Sequence, residues 1–165
     1  MTNARWRLAP LTGGALLLIL LAVAPAAEAA EITREEYVAR AEPICKTNVL
    51  ANKRIFKGAK EKVKTGKLKA ASRHFFRAAN AFATTIRQLA SVPQPTADEA
   101  RLARWLDLLR DEEKTIRDIG RALAAGNKDK ASSYSVDLNA NSNRANNTVL
   151  GFGFDYCRID PTRFG

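Results

Sequence analysis

The stretch that decides the fold is residues 33–65, which read TREEYVARAEPICKTNVLANKRIFKGAKEKVKT. Thr33 and Glu36 have the spacing of a capping box, in which each side chain bonds the other residue's backbone N–H at a helix start. Apolar side chains then recur at helical spacing and share one face, which predicts a long helix. Pro43 is expected to kink this helix or to divide it into a short and a long piece. Gly66 is expected to end it.

Three further helices are predicted in the remainder of the chain. Residues 67–91 carry a wide apolar stripe, and the prolines within residues 92–95 stop that helix because each disfavours helical backbone in the residue before it. A second capping box begins at Thr96 and opens a helix that Gly126 ends, and residues 128–150 predict the last helix. Because the connections are short, neighbouring helices must run antiparallel. The predicted fold is all-α, an antiparallel up-down-up-down four-helix bundle.

The N-terminus has the features of a signal peptide. Residues 1–29 contain a basic start at Arg5 and Arg7, an apolar run of about ten residues and a small-x-small cleavage site at residues 27–29. A helix needs roughly 20 apolar residues to span a bilayer, so a retained membrane anchor is the less favoured alternative. We therefore expect residues 30–165 to form a secreted helical domain of the cell envelope, with no stable transmembrane segment after cleavage.

The chain has two cysteines, Cys45 and Cys157. In an exported protein such a pair is most simply a disulfide, whereas in the cytosol it would indicate free thiols or a metal site. A structural zinc site needs four Cys or His ligands, and His74 is the only histidine. We therefore predict one disulfide, which joins the first helix to the end of the bundle, and no metal.

No motif points to catalysis. His74 lies on the polar flank of its predicted helix, and the chain has neither a glycine-rich phosphate loop nor a nucleophile motif. A di-iron bundle needs Glu-x-x-His pairs on two helices, and a haem needs axial ligands. One histidine supplies neither, so we expect a protein that is not an enzyme and carries no cofactor.

Positive charge is concentrated in residues 46–77, which hold eleven lysines and arginines against one acidic residue, Glu61. Such a zone favours binding of an anionic envelope polymer or of lipid headgroups. Nucleic acid is disfavoured because no exposed aromatic residues are interleaved for stacking and the chain is exported. The alternative is a solvated face that only keeps the protein soluble. The candidate anion-binding residues are Lys53, Lys57, Lys60, Lys62, Lys64, Lys67, Lys69, Arg73 and Arg77.

Polar residues also lie near the middle of the predicted helices. They are Asn52, Glu112 or Glu113, and Asn141 with Ser142. A carboxylate and amides at one level would form a small internal pocket that orients a polar ligand, and Asn52, Glu113 and Asn141 are its candidate residues. The alternative is a hydrogen-bonded core network that sets the register of the helices.

Four short motifs carry a family resemblance. They are Ile44-Cys45-Lys46-Thr47-Asn48, the Leu89…Pro93…Pro95 junction, Trp105-Leu106 and Gly151-Phe152…Cys157. In these the chain resembles exported helical proteins of actinobacteria, which have no assigned function. The resemblance implies export and a disulfide and no active site.

These features together predict a non-catalytic binding or structural protein of the cell envelope that holds an anionic partner at its basic end. The alternative function is a small-ligand carrier that uses the polar mid-bundle residues.

Overall fold

The computed structural model describes residues 31–159, and this part of the chain is helical with no β-strand. Its elements are α1 (Arg34–Ile55), α2 (Ala59–Lys64), α3 (Leu68–Ala90), α4 (Glu99–Ala124) and α5 (Lys128–Thr148), with 3-10 turns at Thr96–Asp98 and Leu150–Phe152. The predicted all-α class is therefore confirmed. None of these helices is long and apolar enough to cross a bilayer. The predicted signal peptide, residues 1–29, lies outside the described residues.

Helix α1 begins as predicted. Thr33 Oγ1 accepts a hydrogen bond from the Glu36 N–H (3.1 Å), and the Glu36 carboxylate accepts one from the Thr33 N–H (2.9 Å). The helix continues through Pro43, so the proline does not divide it, and the kink that was the other expected outcome stays a prediction. The proline removes the hydrogen-bond donor for the carbonyl of Ala39. Because Ala39 is exposed, water can solvate that carbonyl and the helix is not forced to end.

The break in the predicted first helix lies at Gly58. This residue has φ +76°, a left-handed conformation that L side chains rarely adopt, and the chain turns there into the short helix α2. Phe56 contacts Phe75 of α3 edge to face, with the ring centroids 5.1 Å apart. His74 donates a hydrogen bond from Nδ1 to the carbonyl of Ile55. These contacts fasten the end of α1 and the start of α2 to α3.

The start of α4 differs from the predicted capping box. Residues 96–98 form a 3-10 turn, and no side chain caps α4. The Asp98 carboxylate instead accepts two hydrogen bonds of 2.7 Å from the Arg34 guanidinium, and the Thr96 N–H bonds Glu31 at 3.1 Å. The predicted capping box is therefore wrong, because the Thr96 N–H that the Glu99 carboxylate would bind donates to Glu31 instead.

The helices pack as a row of neighbours. Helix α3 packs along α4 and α4 along α5, while α1 and α2 pack on α3. Gly120 permits the close approach of α4 to α3, since a Cβ at this position would lie 3.0 Å from the Phe76 ring. Helices α1 and α5 have almost no close backbone approach. The antiparallel four-helix arrangement stays a prediction. A gap remains between α1 and α5.

The C-terminal segment, residues 150–159, is fastened to α1. Cys45 and Cys157 form a disulfide with their Cα atoms 5.0 Å apart, which confirms the predicted pairing. The Glu42 carboxylate accepts hydrogen bonds from the three successive backbone N–H groups of residues 155–157, at 3.0 to 3.3 Å. A carboxylate so placed satisfies donors that the irregular backbone leaves unpaired.

Aromatic side chains of the C-terminal segment enter the core. Phe154 stacks on Trp105 of α4 with ring centroids 5.5 Å apart. Tyr37 of α1 contacts Phe152 and Phe154 edge to face, with centroids 6.3 and 6.4 Å away. Geometries of this kind are those that aromatic pairs prefer. The segment therefore joins α1 to α4 through the core as well as through the disulfide.

The double variant Cys45→Ser/Cys157→Ser is expected to unfold more easily than the parent, by roughly 2–5 kcal/mol, because the link restricts the unfolded chain. The measurement is urea denaturation with and without reductant. Reductant should destabilise the parent and leave the double variant unchanged. An equal urea midpoint for parent and variant would contradict a structural role of the disulfide.

Glu42→Gln is expected to lower the free energy of unfolding by about 1–3 kcal/mol, because a neutral amide cannot replace the charge-assisted hydrogen bonds to three N–H groups. Asp137→Asn is the matched control, since Asp137 is an exposed carboxylate on α5. Thermal denaturation followed by circular dichroism compares the two variants. A Glu42 variant as stable as the Asp137 variant would show that the carboxylate does not hold the segment.

Candidate functional site

A cleft of about 900 Å3 lies between α1 and α5. All five helices and the C-terminal segment contribute side chains to its walls. Pockets that bind small molecules measure about 300–1,000 Å3, so the cleft is large enough for one. It exists because the two helices that would close the bundle do not meet.

The walls of the cleft are mainly apolar. Helix α4 contributes Trp105 and Leu109, which lie one turn apart on the same face. Helix α3 contributes Phe75, Ala78 and Phe82. Ala78 carries only a methyl group, so it leaves space between the two phenylalanine rings. An apolar ligand surface would be removed from water on these walls, which favours binding.

Glu112 is the only acidic residue among those that line the cleft in the described chain. It is 2% exposed, and its Oε1 has no hydrogen-bond partner within residues 31–159. Burial raises the pKa of Glu112 to about 8, and side-chain hydrogen bonds with Ser142 and Asn141 oppose this rise. At neutral pH the carboxyl group is therefore mostly protonated, and it can donate as well as accept a hydrogen bond.

Unpaired polar atoms are concentrated on these walls. Four buried side-chain polar atoms of residues 31–159 lack a hydrogen-bond partner, and three of them belong to residues that line the cleft. The three are Asn52 Oδ1, Trp105 Nε1 and Glu112 Oε1. Because an unpaired buried group costs about 1–3 kcal/mol, most such groups in proteins are paired. Their clustering indicates a place where a polar group of a ligand can bind.

Asn52 of α1, Glu112 of α4 and Ser142 of α5 all line the cleft, and all three are buried. Ser142 makes a side-chain hydrogen bond with the Glu112 carboxyl group. We call Asn52, Glu112 and Ser142 the polar girdle.

The border of the cleft is positively charged. Its exposed lining residues with charge are all cations, Lys53, Arg54, Lys57, Lys60 and Arg158. Four of them come from the end of α1 and the start of α2, and the fifth comes from the C-terminal segment. A ligand with an anionic group is therefore favoured at the border over a cationic one. No group of three or more metal-ligating side chains is present in the described residues.

The predicted pocket residues are placed differently from one another. Asn52 is on the cleft wall. Glu113 is not; it is half-buried and pairs with Arg117, and its neighbour Glu112 occupies the cleft instead. One residue turns a helix by about 100°, so helical counting with a small error in phase selects the wrong neighbour. Asn141 is buried beside Glu112 and donates to the carbonyl of Leu108 at 2.7 Å.

The predicted anion-binding residues fall into two groups. Lys53, Lys57 and Lys60 lie on the border of the cleft. The other six are not among its lining residues, and they are Lys62, Lys64, Lys67, Lys69, Arg73 and Arg77. Arg54 also lies on the border although it was not among the candidate residues, and the same is true of Arg158. The one sequence signal for the position of Arg158 is the neighbouring Cys157, whose disulfide brings the end of the chain to α1.

Glu112→Gln is expected to change how stability depends on pH. The pKa of Glu112 is raised from its ordinary 4.5 to about 8, so the folded chain keeps a proton that the unfolded chain releases above about pH 4.5. The stabilisation is complete below that pH and is lost towards pH 8, by about 1.4 kcal/mol per pH unit. The glutamine cannot titrate, so the stability of the variant relative to the parent should rise with pH across this window.

Urea denaturation at pH 5, 6.5 and 8 measures this difference. Glu113→Gln is the matched control, because its carboxylate pairs with Arg117 outside the cleft, and it should keep the pH dependence of the parent. A constant difference between the Glu112 variant and the parent at all three pH values would contradict a buried, protonated Glu112.

Comparison of the chain with known protein families, curated proteins and solved structures found no significant match. The resemblance to exported helical proteins of actinobacteria therefore stays a prediction. The chemistry of the cleft is the basis on which a function is assigned below.

Proposed function

We propose that this chain is an exported, non-catalytic binding protein whose cleft holds a small anionic amphiphile. The observation that carries the proposal is an apolar cleft of about 900 Å3 whose charged border residues are all cations. The apolar body of the ligand would lie against α3 and α4, and its anionic group would lie at the border. The protein would act as a carrier or a receptor for such a molecule at the cell envelope.

Two features support the proposed location. The sequence begins with the features of a signal peptide, and the Cys45–Cys157 disulfide is typical of proteins in oxidising compartments. The proposal takes the helices as an up-down-up-down bundle that is open between α1 and α5. Anionic amphiphiles are common in a cell envelope. Because they dissolve poorly, they need a protein to carry them through water.

The apolar walls account for most of the expected affinity. Burying about 300 Å2 of ligand surface contributes on the order of 7 kcal/mol before the cost of association is subtracted. The cations of the border are exposed, so each adds little and its effect is screened by salt. Their main effect is therefore selectivity for the charge of the ligand.

The second candidate is binding of a large polyanion by the whole basic zone. It is favoured by the six cations of α2, α3 and the turn between them that do not border the cleft. This candidate needs no apolar ligand surface. The two candidates therefore differ in whether a neutral amphiphile binds and in which lysines matter.

Three ligands with one apolar body test the proposal: dodecanoate, dodecanol and dodecylamine. Trp105, the only tryptophan outside the predicted signal peptide, lines the cleft, so its fluorescence reports binding. We expect dodecanoate to bind most tightly, dodecanol less tightly and dodecylamine most weakly. Added salt should weaken the binding of dodecanoate and leave the binding of dodecanol unchanged.

Matched lysine variants separate the two candidates. Replacing Lys53, Lys57 and Lys60 by glutamine should lower the affinity for dodecanoate about tenfold at low salt. The affinity for dodecanol should not change. Replacing Lys64, Lys67 and Lys69 removes the same charge away from the cleft and should have little effect. Equal losses in both triple variants would favour general polyanion binding. The cleft proposal would be overturned if dodecanoate fails to bind at millimolar concentration and dodecanol fails to bind up to its limit of solubility.

A further inference from the structure

The polar girdle interrupts the mainly apolar walls of the cleft. Asn52 of α1, Glu112 of α4 and Ser142 of α5 all line the cleft, and Ser142 makes a side-chain hydrogen bond with the Glu112 carboxyl group. Asn52 and Glu112 are 6% and 2% exposed, and each has a side-chain oxygen without a partner in the described chain. The border cations do not account for these two oxygens, because a charged head group at the border leaves both of them unpaired.

The chemistry of the two oxygens selects a hydroxyl group. Asn52 Oδ1 is an acceptor only, while Asn52 Nδ2 already donates to Asn48 at 3.2 Å. A neutral Glu112 carboxyl can donate one hydrogen bond. A hydroxyl group donates one hydrogen bond and accepts others, so it can satisfy both residues at once.

Other groups fit the girdle less well. A ketone oxygen accepts only, so it would pair with Glu112 and leave Asn52 Oδ1 unpaired. An ammonium group donates only, so it would require an ionised Glu112 in a buried site. It would also have to enter past the cations Lys53, Lys57 and Lys60. A plain hydrocarbon chain would leave both oxygens unpaired, which is costly in a buried place.

We propose that the ligand is an anionic amphiphile with a hydroxyl group part-way along its apolar body, held between Asn52 and Glu112. This inference rests on the proposed function of the cleft. The anionic group lies at the border, and the hydroxyl lies in the polar girdle. The position of the hydroxyl along the body is read by the distance between border and girdle, so only some isomers fit.

Selectivity follows from the cost of a misplaced hydroxyl. A site built around a hydroxyl rejects an analogue that lacks it, because the polar groups of the site are then left unpaired. A hydroxyl on another carbon would be buried against apolar walls and would lose its hydrogen bonds to water. The fitting isomer should therefore bind more tightly than the parent chain, and the others more weakly.

The test is a panel of dodecanoates with no hydroxyl or with one at carbon 2, 5, 7 or 9, titrated against the full mature chain by Trp105 fluorescence. We expect one mid-chain isomer to bind at least tenfold more tightly than dodecanoate. The isomer at carbon 2 should bind like dodecanoate, because its hydroxyl stays beside the anionic group at the border.

Variants of the polar girdle assign the preference to its residues. Asn52→Leu and Glu112→Leu should each bring the ratio of affinities for the mid-chain isomer and for dodecanoate close to one, whatever they do to the affinity for dodecanoate. Glu112→Gln keeps a donor and an acceptor and should retain the preference. Asn143→Leu is the matched control, since Asn143 is exposed on α5 and does not line the cleft. Circular dichroism measures the helix content of each variant and so shows whether it folds. If Glu112→Leu does not fold, Asn52→Leu alone is used for the test.

Three results would overturn the inference. If dodecanoate binds and every hydroxyl isomer binds more weakly, the cleft takes a plain chain and the proposed function alone survives. If the preference for a mid-chain isomer survives in Asn52→Leu as it does in Asn143→Leu, the girdle does not hold the hydroxyl. If no member of the panel binds, the proposed function fails together with the inference.

Discussion

The rest of the structure depends on the fastening of the C-terminal segment to α1. Helix α1 packs extensively only on α3, and it hardly approaches α5. The Cys45–Cys157 disulfide and the hydrogen bonds of Glu42 supply the second attachment that the missing helix contact does not. Through Phe154 the same segment reaches Trp105, so α1 is positioned against α4 across the core.

The cleft combines features that a purely structural core avoids. Its walls are apolar, yet Asn52, Trp105 and Glu112 each place an unpaired polar atom there. Local rules of folding are broken in natural proteins mainly at functional sites, where the cost is offset elsewhere in the fold. Here the disulfide restricts a loop with a sequence separation of 112 residues, which stabilises the fold by several kcal/mol in the chain-entropy model. The fold can therefore tolerate the cost of the cleft.

The outcome at Pro43 and Gly58 shows where local rules are reliable. The capping box at Thr33 formed because it involves only neighbouring residues. The effect of Pro43 depended on the exposure of Ala39, which is a property of the packed molecule. Gly58 gave no strong signal, since a lone glycine is tolerated within helices. Its turn is held by the contact of Phe56 with Phe75 and by the bond of His74 to Ile55, and these residues are distant in sequence.

The sequence by itself determined the helical class, the ends of most helices, the disulfide and the basic zone, because helical periodicity, capping residues and charge are local properties. Only the tertiary structure decided which face of α4 meets the cleft, since a rotation of about 100° separates Glu112 from Glu113. It also decided that α1 and α5 stay apart and that Arg158 joins Lys53, Lys57 and Lys60 at one border. A cleft is a gap between elements, and a gap is set by how the elements pack, which no single stretch of sequence records.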